Sequence, residues 1–84
     1  MKIEDKIKQY VAENILFSDD GYPFPDDASF MDEGVIDSLG VLELALFVEE
    51  NFGFVVSRND LTPTNFGSVT ELAAFIRQHT AVPA

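Results

Sequence analysis

The tripeptide Asp37-Ser38-Leu39 sets a carboxylate beside a hydroxyl at the head of a proline-free run of helix formers. A serine there could attack a substrate, cap the helix, or accept a group that another protein installs. Attack requires a base within reach, and no His, Lys or Cys adjoins Ser38 in sequence. The hydroxyl therefore reads as a substrate rather than a nucleophile. Taken alone, Ser38 also fits an ordinary serine at a helix start, where Ser is common. The other reactive side chains are poorly arranged. The only histidine is His79, near the end, so a His-based triad or a zinc site lacks its parts. The acidic loops around Gly21 and Gly34 invite a calcium reading. Aligning either glycine with the sixth EF-hand position puts Leu16, or Ser29 and Met31, where acids are required. Asp32 and Glu33 could pair as acid and base, but an acidic loop is more simply a solvated face. No catalytic residue and no metal site are expected, so the chain does not read as an enzyme.

The elements that must hold Ser38 follow from apolar spacing. Ile3, Ile7, Tyr10, Val11 and Asn14 predict an amphipathic helix over about residues 2–16. Phe17 to Asp37 is rich in turn residues, including Asp19-Asp20-Gly21 and Pro23-Phe24-Pro25. A connection of that length is usually functional or pinned by its own apolar residues. Phe30, Met31, Val35 and Ile36 are the expected pins. Asp37 is a suitable N-cap for a helix from Ser38 to Phe52, and Gly53 a suitable stop. Phe54, Val55 and Val56 read as a buried linker, because a single strand would have no partner. Asn59-Asp60-Leu61 opens a short third helix that Pro63 interrupts or caps. Ser68-Val69-Thr70-Glu71 is a capping box for a last helix with Val69, Leu72, Ala73 and Ile76 inside. From about His79 the tail is expected to fray. The expected fold is all-α: one domain over residues 1–84, a small four-helix bundle of three longer helices and one short, with a long loop between helices 1 and 2.

The helix after Ser38 carries two apolar stripes. At about 100° per residue, Val41, Leu44, Ala45, Val48 and Phe52 share one face. Leu39, Leu42 and Leu46 share another, bordered by Glu43 and Glu50 on one edge and Glu49 near the other. Such a helix could sit at the centre of the bundle, buried all round. That would require bases to pair with Glu43 and Glu49, and three of the five bases lie at the N-terminus. The alternative is an exposed leucine stripe with an acidic rim, which is a mark of a binding surface.

Composition narrows the partners. Five Lys and Arg against fifteen Asp and Glu give a formal charge of −10, which repels phosphate backbones and anionic membranes. Basic protein surfaces are attracted instead. Hydrophobic residues make up 46% of the chain, too many for a disordered acidic tail. The acidic start lacks an apolar signal segment, no run is long enough to span a membrane, and there is no cysteine. We expect a cytoplasmic monomer that binds neither nucleic acid nor membrane.

Asp37-Ser38-Leu39, opening a helix after a long acidic loop, resembles the attachment motif of acyl and peptidyl carrier proteins. Ala28 to Ile36 resembles the loop preceding that motif. Val41-Leu42-Glu43-Leu44 and Glu49-Glu50-Asn51-Phe52-Gly53 resemble the body and end of the second carrier helix. Asp60-Leu61-Thr62-Pro63 and Asn65-Phe66-Gly67-Ser68-Val69 resemble the approach to the last one. The likeness covers nearly the whole chain in order. It implies that a phosphopantetheinyl transferase attaches the 4′-phosphopantetheine arm of coenzyme A to Ser38. The arm's thiol then carries an acyl or aminoacyl group as a thioester, which accounts for the missing cysteine. It also implies that Asp37, Leu39, Leu42, Glu43, Leu46, Glu49 and Glu50 meet loading and transferring enzymes through basic docking surfaces. The pathway would be a fatty-acid, polyketide or other secondary-metabolite one. Gly40 and the long, proline-rich Phe17–Asp27 segment depart from the usual pattern and fit a carrier dedicated to one pathway. A rival reading is an unmodified interaction module of the same fold, binding through the Leu39/Leu42/Leu46 stripe.

Overall fold

The computed structural model describes residues 2–80, Ser38 through its backbone alone. Helix α1 spans Ile3–Asn14, with Glu4 and Asp5 in its first turn, where the helix dipole favours acids. Ile7, Val11 and Ala12 are buried. Without a glycine to stop it, α1 ends in a wide turn. Leu16 N–H donates to the Val11 carbonyl and Ser18 N–H to the Ala12 carbonyl. Phe17 sits between them in the left-handed region, at φ 52°.

The segment from Phe17 to Asp37 contains neither helix nor strand, and is pinned largely as expected. Phe30 is 1% exposed. Its N–H donates to the Gly67 carbonyl at 2.8 Å, and its own carbonyl accepts from Val35 and Ile36. Val35 and Ile36 are buried, but Met31 is 56% exposed and pins nothing. Tyr22 and Phe24 take that place, meeting edge to face, with Tyr22 also against Phe30.

Helix α2 spans Ser38–Phe52 and ends at Gly53, whose φ of 75° suits glycine. Of the next three residues, Phe54 and Val56 are half-buried, whereas Val55 is 81% exposed, so the segment is not a buried linker throughout. A 3₁₀ turn covers Arg58–Asp60, closed by Ser57 and Asp60 in a reciprocal cap. Helix α3, Pro63–Phe66, has Pro63 in its first turn. Proline suits that position because its missing N–H has no helical partner. Pro63 therefore starts the short helix rather than interrupting it.

Helix α4 spans Val69–Thr80. Ser68 Oγ accepts from Glu71 N–H at 3.1 Å and lies 3.2 Å from Glu71 Oε1. The expected frayed tail does not begin at His79: α4 runs through it to Thr80. The His79 ring stacks on Phe54, with centroids 4.7 Å apart, and Thr80 Oγ1 donates to the Ile76 carbonyl. The rest of that expected tail lies outside the described residues.

Helix α4 packs against α1, α2 and α3. The centre is Ile7, Val11, Leu44, Val48, Leu72 and Ile76, all fully buried. Each such side chain contributes roughly 1.5–3 kcal/mol relative to exposure. Outside that core, Arg77 on α4 grips Glu4 on α1 through two hydrogen bonds of 2.6 and 2.7 Å. The guanidinium holds the Glu4 carboxyl down, from an ordinary 4.5 to about 2.

Candidate functional site

The start of α2 is fixed from both sides. Upstream, the two amides that bond to the Phe30 carbonyl anchor Val35 and Ile36 in the core. Asp37 follows in extended conformation, and its Oδ1 accepts from Gly40 N–H at 2.8 Å. Ser38 is thus the first helical residue, beside a carboxylate already used as a cap. Gly40 has an internal reason to be glycine: a Cβ there would stand 2.8 Å from Ile36 Cγ2. The buried Ile36 side chain fills that space, so the departure at Gly40 follows from packing within this chain.

The other four serines are committed locally. Ser18 Oγ and Ser29 Oγ accept from the amides of Asp20 and Asp32. Ser57 Oγ donates to Asp60 Oδ2, and Ser68 is 2% exposed and capped to Glu71.

Beyond Ser38 the two stripes of α2 separate cleanly. Leu44, Ala45 and Val48 are buried, with Val41 and Phe52 half-buried. Leu39, Leu42 and Leu46 are 71%, 50% and 57% exposed. Asp37, Glu43 and Glu50 are exposed beside them. Glu49 differs: it is half-buried, and its Oε2 accepts from Val56 N–H at 2.8 Å, which ties the linker to α2. Sequence reasoning assigned no role to Phe47, which is buried and stacks on Tyr10 of α1 with centroids 4.2 Å apart. Burial, then the Glu43 and Glu50 carboxylates, push the Tyr10 hydroxyl up in pKa. On the other side of α2's first turns, Met31, Val41, Leu61, Pro63 and Phe66 line an apolar hollow of about 280 Å³.

A helix start can hold a phosphodiester, since the dipole's positive end offsets its charge by about 0.3–1 kcal/mol. The apolar hollow nearby suits the uncharged part of a pantetheine arm. The residues present therefore fit 4′-phosphopantetheine. Among the described residues no cluster of His, Cys, Asp and Glu has metal-holding geometry. No described helix is long and apolar enough to cross a membrane.

The frame is all-helical, and comparison with known proteins defines its class as that of the phosphopantetheine carriers. The family described as the phosphopantetheine attachment site matches residues 5–76, and the chain belongs to it. An acyl carrier protein of Zymomonas mobilis subsp. mobilis is 31% identical over 77 residues, covering 92% of this chain and 94% of that protein. A D-alanyl carrier protein of Abiotrophia defectiva is 31% identical over 55 residues, covering 66% of this chain and 70% of its own length. The group attached in this family is 4′-phosphopantetheine, covalently bound.

Proposed function

We propose that the chain carries an acyl or aminoacyl group on a 4′-phosphopantetheine arm attached to Ser38, and presents it to partner enzymes in the cytoplasm through the α2 surface. The observation that carries this reading is the position of Ser38 as first residue of α2, in a chain whose other four serines are engaged elsewhere.

In the transfer, Ser38 Oγ attacks the coenzyme A phosphorus that bears pantetheine. The phosphoanhydride bond breaks, adenosine 3′,5′-bisphosphate leaves, and the hydroxyl proton passes to a base of the transferase. The base is assigned to the transferase, since no His, Lys or Cys adjoins Ser38 in sequence and the neighbouring Asp37 carboxylate is engaged by Gly40 N–H. Once bound, the arm supplies the terminal thiol that this cysteine-free chain lacks, and holds its cargo there as a thioester. The chain's own residues only orient and present. Asp37 holds the first turn through Gly40 N–H, and Leu39, Leu42 and Leu46 give a partner apolar contact inside an acidic rim. Partners with basic rims are the complement, both for the transferase and for the enzymes that load and unload the arm. Both a D-alanyl carrier and an acyl carrier resemble the chain at 31% identity, so aminoacyl and fatty or polyketide acyl cargoes are the classes to compare.

The test is intact mass before and after incubation with coenzyme A, magnesium and a broad-specificity phosphopantetheinyl transferase. A gain of one phosphopantetheine is expected. An unchanged mass in a folded sample, with a control carrier modified alongside, would favour the unmodified interaction module.

A further inference from the structure

Gly40 is the third residue of α2 and is half-buried. Its backbone is helical, so no left-handed angle calls for glycine there. Alanine is the better helix former, and an acidic side chain at this position would complete a capping box by reaching back to the amide of the cap. Glycine forgoes both. What excludes a side chain is Ile36. A Cβ on Gly40 would stand 2.8 Å from Ile36 Cγ2 and 3.5 Å from Ile36 Cβ. Ile36 has little freedom to swing aside. It is 5% exposed and β-branched, hence stiff at χ1, and its N–H donates to the Phe30 carbonyl at 3.3 Å. Phe30 is fastened in turn, its own N–H donating to the Gly67 carbonyl where α3 meets α4. From the solvent side Asp37 reaches the same glycine, its Oδ1 accepting from Gly40 N–H at 2.8 Å.

We propose that Ile36 and Gly40 are positioning residues for attachment at Ser38, their close packing holding the first turn of α2 against the core. The proposal rests on the carrier reading for the reaction it serves. Ser38 lies between two points where the turn is tied to fixed structure. Ile36, before it, is seated in the core; Gly40, after it, is held by Ile36 and by the Asp37 carboxylate. The backbone of Ser38 is carried by these neighbours, and neither acts by touching the reacting atoms. Attack on phosphorus requires the Ser38 oxygen in line with the bond that breaks. A misplacement of about 1 Å costs on the order of a hundredfold in such a step. A methyl group at residue 40 forces a shift of that size, since a 2.8 Å approach must open to an ordinary carbon contact of about 3.5–4.0 Å. The stiff, buried isoleucine does not yield, so the helix start does. A packing defect alone would lower stability without singling out the chemical step.

The test compares wild type, Gly40→Ala, Ile36→Leu and the double variant as substrates of a broad-specificity phosphopantetheinyl transferase with coenzyme A and magnesium. Circular dichroism and thermal melting on the same samples ensure that rates refer to folded chain. Leucine keeps the volume of isoleucine but carries a single γ carbon, which leaves room for the added methyl. In Gly40→Ala, kcat is expected to fall about tenfold while KM stays within about twofold, since Leu39, Leu42 and Glu43 are untouched. The double variant should recover most of the lost kcat. In 15N-labelled chain the Ser38 amide signal should move in Gly40→Ala and return in the double variant. Unchanged kcat in Gly40→Ala, a loss expressed in KM alone, or a loss that Ile36→Leu does not relieve would each overturn the assignment. Should Gly40→Ala fail to fold, the double variant decides, and its failure to fold or to be modified overturns the assignment too. A wild-type chain left unmodified would overturn the carrier reading instead. The amide signal then judges the pair, and a Ser38 signal unmoved in Gly40→Ala counts against it.

Discussion

Phe17 combines two features that rarely coincide, a left-handed backbone at φ 52° and a ring 80% exposed. A non-glycine residue there costs on the order of 1 kcal/mol, less for Asn, whose short polar chain tolerates the conformation. An exposed ring recovers little of that by packing. Phe17→Asn is therefore expected to stabilise the fold by up to about 1 kcal/mol in denaturant unfolding. Glu4 makes a second prediction. Its carboxyl is lowered from 4.5 to about 2, first by its hydrogen bonds to Arg77. A group depressed on folding stabilises above its unfolded pKa and loses that contribution as pH falls through the folded one. Wild type should therefore melt above Glu4→Gln near neutral pH. The gap should close between about pH 4.5 and pH 2. A gap independent of pH would mean that the pair contributes through packing alone.

At the scale of elements, α3 and α4 meet through Gly67. A Cβ there would collide with the Pro63 carbonyl oxygen and lie 2.7 Å from Glu71 Oε1. Backbone has nowhere to move, so Gly67→Ala should lower stability by about 1–3 kcal/mol, read by thermal melting. How far the elements could be read from sequence depended on how local their causes are. The ends of α2 were legible because Asp37 and Gly53 act through hydrogen bonds within one turn. The exposed leucine stripe was legible because acids interrupt it and few bases were available to neutralise them. The linker reading fails at Val55 because this short irregular segment packs Phe54 and Val56 against the core and leaves Val55 outside. Met31 faces solvent while Tyr22 and Phe24 pack on the core, and sequence does not distinguish them because an irregular loop has no period to mark its inner side. Phe47 falls between the two stripes on the wheel, and only the position of Tyr10 on α1 explains its burial.

Across the whole molecule the charge is unevenly spread. Four of the five bases lie on α1, its cap and α4, where Lys8 and Arg77 pair with Asp5, Asp26 and Glu4. Helix α2 and its cap carry Asp37, Glu43, Glu49 and Glu50 and no base. A field of that shape turns the α2 face towards a basic partner before contact. It also strains the compact state, since fifteen carboxylates face only five bases. Adding salt or divalent cations screens that repulsion, so the melting temperature should rise from low to moderate ionic strength; a flat response would contradict the dominance of self-repulsion. The carrier function depends on one covalent bond at one residue. Tandem mass spectrometry of the enzymatically modified chain should place a single 4′-phosphopantetheine on Ser38, with none in Ser38→Ala. Modification of Ser18, Ser29, Ser57 or Ser68, or an unchanged mass gain in Ser38→Ala, would contradict it.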